Sequence, residues 1–499
     1  MSTLPTAELL DAVLDGGTWR PWDVPIVDTA VDPDYREELR VAAAQAGSDD
    51  SVITGSGRVH GEPVAVIAGD FNFLAGSIGR VAADRIMGAA DRATALGLPL
   101  LALPSSGGTR MQEGTPAFLL MAGIAGAVRR HIDAGLPYLV YLRNPTFGGV
   151  LASWGSLGDT AHAEPEAMIG FLGPRVYEGL TGEPFPDGVQ TSENLAAVGV
   201  IDGVMSPEQW RDYVGSLLRS LRAHPENQQP SQNWESAGAD GGEADADLRL
   251  VAPEKFEGWA AVTATREPER PGLDTLLTRL TGFCEISGTR AGERAEVTTA
   301  GIGQLAGIGC VIVGFDRVRQ DAGHAVGPAD LRLARRAMAL AERWRLPLIT
   351  VIDTNGGELS AAAENGAFAG EIARCLSDLA ALRTPVLSIL LGSGVGGAAL
   401  ALLPGDIVLA AADSWVTPLP PEGASLIRYR TIDRAAEIAN DQRITAADLA
   451  EIGAVDRIVA PPRPGMPKFA VAVGEELSRV VGLPLDLGAR AAKWSGLWS

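Results

Sequence analysis

Cysteine is scarce: three occur in 499 residues, Cys284, Cys310 and Cys375. They lie far apart without a C-x-x-C spacing, which argues against a disulfide framework or a zinc site and fits a reducing cytoplasm. Basic side chains are also outnumbered, 41 against 62 acidic ones, for a formal charge of −21. That balance repels a phosphate backbone, so nucleic acid is not an expected partner. The five histidines, His60, His131, His162, His224 and His324, show no H-x-x-x-H or related ligand spacing. No G-x-S-x-G elbow and no P-loop occurs. From Met1 to Asp11 no cationic segment precedes an apolar run, so no secretory leader is expected. The nineteen uncharged residues Pro385 to Leu403 approach the length of a membrane span. Four glycines, Gly392, Gly394, Gly396 and Gly397, break the centre of that run, which reads as strand, loop and short helix. No membrane association is expected.

What is abundant is apolar surface, 46% of residues, enough for a large core, and the length suits two domains rather than one. From Thr6 to Asp49 short helical patterns alternate with Trp-Pro and Asp-Pro turns, as in a lead-in. Ser51 to Gly69 reads as two strands joined at His60 to Pro63, and a helix is expected from about Ile78 to Leu96. His224 to Asp247 is polar and acidic, with too little apolar surface to offset its ordering entropy. The expected organisation is therefore an N-terminal domain over 1–223, an acidic linker over 224–250 and a C-terminal domain over 251–499. After the linker, Arg266 to Leu280 reads as a short helical lead-in and Ala295 to Phe315 as buried strands.

The strongest signal is an internal repeat. Leu98 to Leu346 is 248 positions, Gly107 to Gly356 is 249, and Leu136 to Thr384 and Gly148 to Gly396 are each 248. Each half carries the same grammar: helix, Leu-Pro-Leu or its equivalent, buried strand, Gly-Gly turn, helix, buried strand, second Gly-Gly turn, helix. This is an α/β architecture of the ββα superhelix type rather than a doubly wound sheet. The second Gly-Gly turns, Gly148-Gly149 and Gly396-Gly397, each follow a strand and are expected to open a helix. Glycine there lets a ligand approach the backbone, and first-turn N–H groups form a ready anion site that suits an oxyanion hole. The earlier turns, Ser106-Gly107-Gly108 and Asn355-Gly356-Gly357, are expected to wall the same cleft. Arg110 and Glu113 could pair with a substrate or with each other. Gly392, Gly394 and Gly397 also satisfy G-x-G-x-x-G, but the equivalent first-half turn lacks the pattern, which disfavours a dinucleotide site. A site without an obvious side-chain base points to chemistry in which the substrate or cofactor supplies the base.

Asp70-Phe-Asn-Phe-Leu-Ala-Gly-Ser-Ile-Gly, Ser105-Ser-Gly-Gly-Thr-Arg-Met-Gln-Glu-Gly and Asn144-Pro-Thr-Phe-Gly-Gly-Val resemble the β-type carboxyltransferase subunit of bacterial acetyl-CoA carboxylase. Gly392-Ser-Gly-Val-Gly-Gly-Ala-Ala-Leu-Ala-Leu, Asp406-Ile-Val-Leu-Ala and Pro420-Pro-Glu-Gly-Ala-Ser-Leu-Ile resemble the α-type partner. Fused halves are similar to the acyl-CoA carboxylase β chains of actinobacteria. The resemblance implies two tandem crotonase-like domains and transfer of a carboxyl group from carboxybiotin, on a separate carrier, to the α-carbon of an acyl-CoA. It implies that Gly148 and Gly149 face the thioester oxygen, and that Gly396 and Gly397, with Ala398, face the biotin ureido oxygen. Ser106, Gly107, Gly108, Arg110 and Phe147 would contact substrate. The implied partners are a biotin carboxylase and biotin carboxyl carrier subunit, and the implied assembly is a hexamer, a trimer of dimers, in which opposed halves come from different subunits.

Two departures matter. The four-cysteine zinc ribbon of separate-chain β subunits is absent, so no metal is expected, and there is no Ala-Met-Lys-Met biotinylation signature, Met466-Pro-Lys-Phe being no match. Leu400 stands where propionyl-selective relatives often carry an acidic residue, which leans toward acetyl-CoA or a longer chain. Two competing readings remain: a biotin-independent decarboxylase of malonyl-type thioesters on the same scaffold, and a catalytically silent partner of a carboxylase complex.

Overall fold

Buried strands with hydrophobic side chains on both faces need helices on both sides, and each half of the chain meets that need in the same way. The computed structural model describes residues 4–24, 32–197, 200–222, 256–286, 288–289, 293–462, 464 and 467–497. The linker expected over 224–250 and His224 lie outside the described residues.

The first half carries β1 (Arg20–Pro21), β2 (Val52–Val59), β3 (Glu62–Gly69), β4 (Leu100–Leu103), β5 (Tyr138–Leu142), β6 (Thr146–Phe147), β7 (Thr160–Ala163), β8 (Ile169–Gly170) and β9 (Gly203–Val204). Its sheet runs β1-β2-β3-β4-β5-β7-β9, with β6 and β8 paired separately. The second half carries β10 (Thr281–Ile286), β11 (Thr298–Leu305), β12 (Ile308–Phe315), β13 (Leu348–Thr354), β14 (Val386–Val395), β15 (Ile407–Ala411), β16 (Trp415–Thr417) and β17 (Arg457–Val459). Its sheet runs β10-β11-β12-β13-β14-β15-β17, with β16 on the end of β14. The two orders match strand for strand from β2 and β11 onward. This is the tandem crotonase-like ββα architecture, and the repeat extends to details of the turns. The β2–β3 hairpin turns on His60 (φ 50°) and Gly61 (φ 85°), the β11–β12 hairpin on Ala306 (φ 50°) and Gly307 (φ 79°). Two consecutive positive φ values match the right-handed twist of the flanking strands.

After each hairpin the strands are parallel, and a helix, Arg80–Leu96 or Pro328–Trp344, makes the crossover. The first starts two residues later than expected. Its leading N–H, at Arg80, is taken by Glu113 Oε2 at 2.6 Å. All seven residues of β13 and all ten of β14 are buried. The run from Pro385 to Leu403 is thus a core strand and a short helix, and no described helix is long and apolar enough to cross a membrane. The lead-in expected over Arg266 to Leu280 contains one helix, Leu273–Leu277.

One apolar cluster runs through both halves. Helix Gly114–Asp133 of the first half packs on Phe368–Ala381 of the second, where a Cβ at Gly126 would lie 3.5 Å from that of Ala380. Thr115 Oγ1 donates to the Val416 carbonyl at 3.1 Å across the same seam. The C-terminal ends of β5 and β14 therefore open toward one another.

One expectation fails here. No helix follows Gly148-Gly149: residues 148–153 form turns that lead to a single 3-10 turn, Trp154–Ser156. Ser153 Oγ donates to the Gly149 carbonyl at 2.6 Å and Gly155 N–H to the Val150 carbonyl at 2.9 Å, diverting two acceptors from a helical ladder. The helix after Gly396 has only five residues, Gly396–Leu400. A macrodipole needs a longer helix, so any anion binding here rests on individual peptide N–H groups.

Candidate active site

The second Gly-Gly turns of both halves line one cleft of about 260 Å³, together with the first turns Gly107-Gly108 and Gly356-Gly357. Gly148 and Gly396 have the same backbone twist, φ 65° and 66°, a left-handed conformation that a residue with a Cβ adopts only at a cost. Their N–H groups do not face the cleft. That of Gly148 donates to the Phe171 carbonyl at 3.0 Å and to that of Gly170 at 3.3 Å. In the parallel β14–β16 ladder, Val395 stands opposite Thr417, which sets the Gly396 N–H on the Thr417 carbonyl. The expectation that the first glycine of each pair is an oxyanion donor is therefore corrected: its amide belongs to the sheet, and its role is the corner.

The second glycine differs in both respects. Among the described residues no acceptor faces the Gly149 N–H. Gly397 and Ala398 lie in the first turn of their helix, where amides have no intrahelical partner. A Cβ at Gly149 would stand 3.1 Å from Thr109 Oγ1 and 3.3 Å from Met121 Sδ; at Gly397 it would stand 2.7 Å from Ile372 Cδ1 and 3.0 Å from the Phe171 ring. A side chain at either position would have to displace these neighbours. Ala398 is fully buried behind its corner and Phe147 lines the cleft.

The earlier turns repeat one device. Gly108 (φ 117°) and Gly356 (φ 119°) each donate an N–H to a hydroxyl two residues back, Ser106 Oγ at 3.0 Å and Thr354 Oγ1 at 3.1 Å. Ser106, expected to contact substrate, is instead buried as a brace, its hydroxyl hydrogen-bonded to the Gly76 carbonyl. Arg110 is a second correction. Its side chain is 1% exposed, with Nη2 at 2.8 Å from both Asp50 Oδ1 and the Ser77 carbonyl. Burial opposes its charge, but Asp50, Tyr35 and Glu113 together outweigh burial and hold the guanidinium protonated. Glu113, 3.5 Å from Arg110, accepts from the Tyr35 hydroxyl at 2.6 Å, and burial raises the pKa of that phenol. This is a structural cluster behind the wall.

None of the described residues lining the cleft is titratable; Thr109 and Asn355 are its polar side chains, and Met111, Phe118, Met121, Leu400 and Ile427 are among the apolar ones. The described histidines lie elsewhere: burial lowers the pKa of His131 and of His162, and His60 pairs with Asp212 at 2.8 Å. Gly392 and Gly394 sit inside β14, where a Cβ would collide with Asp353 Oδ1 in one case and stand 2.8 Å from the Trp415 carbonyl in the other. Their G-x-G spacing is a packing requirement, and a phosphate loop does not form.

Two lining segments were not singled out from the sequence, Phe171-Leu172-Gly173 and Pro418-Leu419-Pro420. They are 247 positions apart, so the repeat offset could have found them. Glu364, which holds the first of them, had no such signal. In this chain both corners line one cleft, because the packed helices of the two halves bring the Phe171 ring onto Gly397.

Residues 27–461 match the family model for the carboxyl transferase domain. A probable biotin-dependent acyl-coenzyme A carboxylase beta3 subunit of Mycobacterium tuberculosis is 51% identical over 460 residues, covering 92% of this chain and 90% of its own. The acetyl-coenzyme A carboxylase carboxyl transferase subunits beta/alpha of Saccharopolyspora erythraea are 34% identical over 482 residues, covering 94% and 83%. Among solved structures, the beta subunit of P. aeruginosa geranyl-CoA carboxylase aligns over 99% of this chain and 88% of its own at 16% identity, with a TM-score of 0.35. A cleft built from two backbone corners, on a chain so similar over nine tenths of its length, belongs to the carboxyl transferase domain family, that of the biotin-dependent acyl-CoA carboxylase β subunits.

Proposed function

We propose that this chain transfers a carboxyl group from carboxybiotin, carried on a separate protein, to the α-carbon of an acyl-CoA. The observation that carries the proposal is the cleft with two symmetry-related backbone corners and no titratable side chain. Carboxybiotin, when bound, supplies the carboxyl carbon as CO2 and a ureido nitrogen able to take the α-proton. The chain's own contribution is electrostatic. The Gly149 N–H, which has no acceptor among the described residues, would bond the thioester oxygen as charge moves onto it, and the Gly397 N–H would bond the ureido oxygen. One such donor is worth about 3–4 kcal/mol of barrier. An apolar cleft strengthens each bond by keeping water away.

The reading includes a biotin carboxylase and biotin carboxyl carrier subunit as partner, a homo-oligomer of hexamer type, and a cytoplasmic location. The test is to incubate the protein with malonyl-CoA, methylmalonyl-CoA or a longer carboxyacyl-CoA, with and without free biotin, and follow CoA species by mass spectrometry. Carboxyl loss that depends on biotin is expected. Equal loss without biotin would indicate a decarboxylase, and no loss with any thioester a silent partner; either result defeats the proposal.

A further inference from the structure

Phe171 stands between the two corners. Its carbonyl accepts the Gly148 N–H at 3.0 Å, and its ring lies 3.0 Å from where a Cβ at Gly397 would stand. The ring meets Phe368 edge-on, with centroids 5.4 Å apart. Both corners therefore depend on where this one residue sits.

A side chain of the other half holds it from behind. Glu364, on the short helix Ala361–Asn365, is 8% exposed. Its Oε1 accepts the Phe171 N–H at 2.8 Å, the Leu172 N–H at 3.5 Å and Gln190 Nε2 at 2.8 Å. Gln190 Nε2 also donates to the Leu172 carbonyl at 2.7 Å. These three donors all belong to the first half. Tyr177, Phe185 and Leu359 are close by, with Glu358 and Ser360, which bond each other at 2.6 Å, and the cavity beside it measures about 10 Å³, room for one water at most. Solvent is poorly placed to replace the carboxylate, and a charged acceptor makes hydrogen bonds about twice as strong as a neutral one.

We propose that Glu364 is a positioning residue for carboxyl transfer: a carboxylate of the second half that, through Phe171, sets the first-half corner and the wall facing Gly397. The inference rests on the functional reading above. Misplacing a reacting group by about 1 Å costs on the order of 10²-fold in rate, and the loss falls on turnover rather than on binding.

The experiment compares wild type, Glu364→Ala and Glu364→Gln. Calorimetry gives acyl-CoA affinity and sites per chain, biotin-dependent carboxyl loss gives turnover per occupied site, and hydrogen exchange follows the peptides that contain Phe171 and Gly148. Glu364→Ala should lower turnover per site by about 100-fold with affinity and site number kept, and should speed exchange at both peptides. Glu364→Gln keeps only a neutral, weaker acceptor for the Phe171 N–H and should recover most but not all of that loss, leaving turnover about threefold to 10-fold below wild type. Folded Glu364→Ala with turnover within about threefold of wild type overturns the inference, as does a loss confined to affinity or site number. Should the alanine variant fail to fold, unchanged turnover and unchanged exchange at Phe171 in Glu364→Gln overturn it equally. A wild type inert toward every thioester would instead sink the functional reading, which separates the two failures.

Discussion

Replacing Gly149 by proline removes the one amide of the first-half corner that the sheet does not use. The neighbouring change, Gly148→Ala, leaves that amide in place. From the geometry, Gly149→Pro loses a donor worth about 3–4 kcal/mol in the transition state, so kcat should fall by roughly 10²–10³ while KM for acyl-CoA changes little. Gly148→Ala instead forces a Cβ onto a residue at φ 65° and places it 3.3 Å from the Gly108 Cα. That strain should cost about 1–2 kcal/mol of folding stability. Activity per folded molecule should stay near wild type. Denaturant unfolding measures the stability of each variant, and biotin-dependent carboxyl loss from malonyl-CoA measures kcat and KM on the folded fraction. Proline also restricts the residue before it, so the melt of Gly149→Pro must be cooperative for its kinetics to count. The reasoning is refuted if folded Gly149→Pro keeps kcat within about threefold, or if Gly148→Ala loses as much per folded molecule.

Two further outcomes follow from groups behind the cleft. Arg110→Met should leave Asp50, 2% exposed, without its guanidinium and lower stability by about 3–5 kcal/mol in denaturant. KM of the surviving folded enzyme should not move, since Arg110 does not touch the cleft; a KM effect without a stability effect would restore it as a substrate ligand. Asp353 is fully buried, and burial pushes its carboxyl up to about 6 against the pull of Arg317 and Arg270. The folded state then holds this proton more tightly than the unfolded chain does. Its contribution to stability should fall as pH rises from 3.8 to about 6, by on the order of 3 kcal/mol in all, and stay level above. Asp353→Asn should remove that slope from the pH dependence of unfolding, and an unchanged slope would contradict the assignment.

The repeat and its glycines were legible in the sequence because they are local requirements. A left-handed corner needs glycine whatever the fold around it, as at Gly148 and Gly396, and so does close approach of a backbone, as at Gly149 and Gly397. Strands buried on both faces, such as β13 and β14, declare themselves as mostly apolar runs with only small or single polar breaks.

Which way each amide points was not readable, since a peptide plane turns with the strand that pairs to it. Two short strands, β8 and β16, take up the Gly148 and Gly396 N–H groups, whereas the Gly149 N–H has no acceptor among the described residues. In the same way Ser106 and Arg110 sit within or beside a cleft-wall turn, yet tertiary contacts to Gly76 and Asp50 draw their side chains away. The Glu364–Phe171 link joins positions 193 apart and exists only because two helices pack across the seam. Sequence by itself determined where the backbone must be bare. Tertiary structure decided which amide of each corner the sheet takes up, because hydrogen-bond direction is set by neighbours that lie far off along the chain.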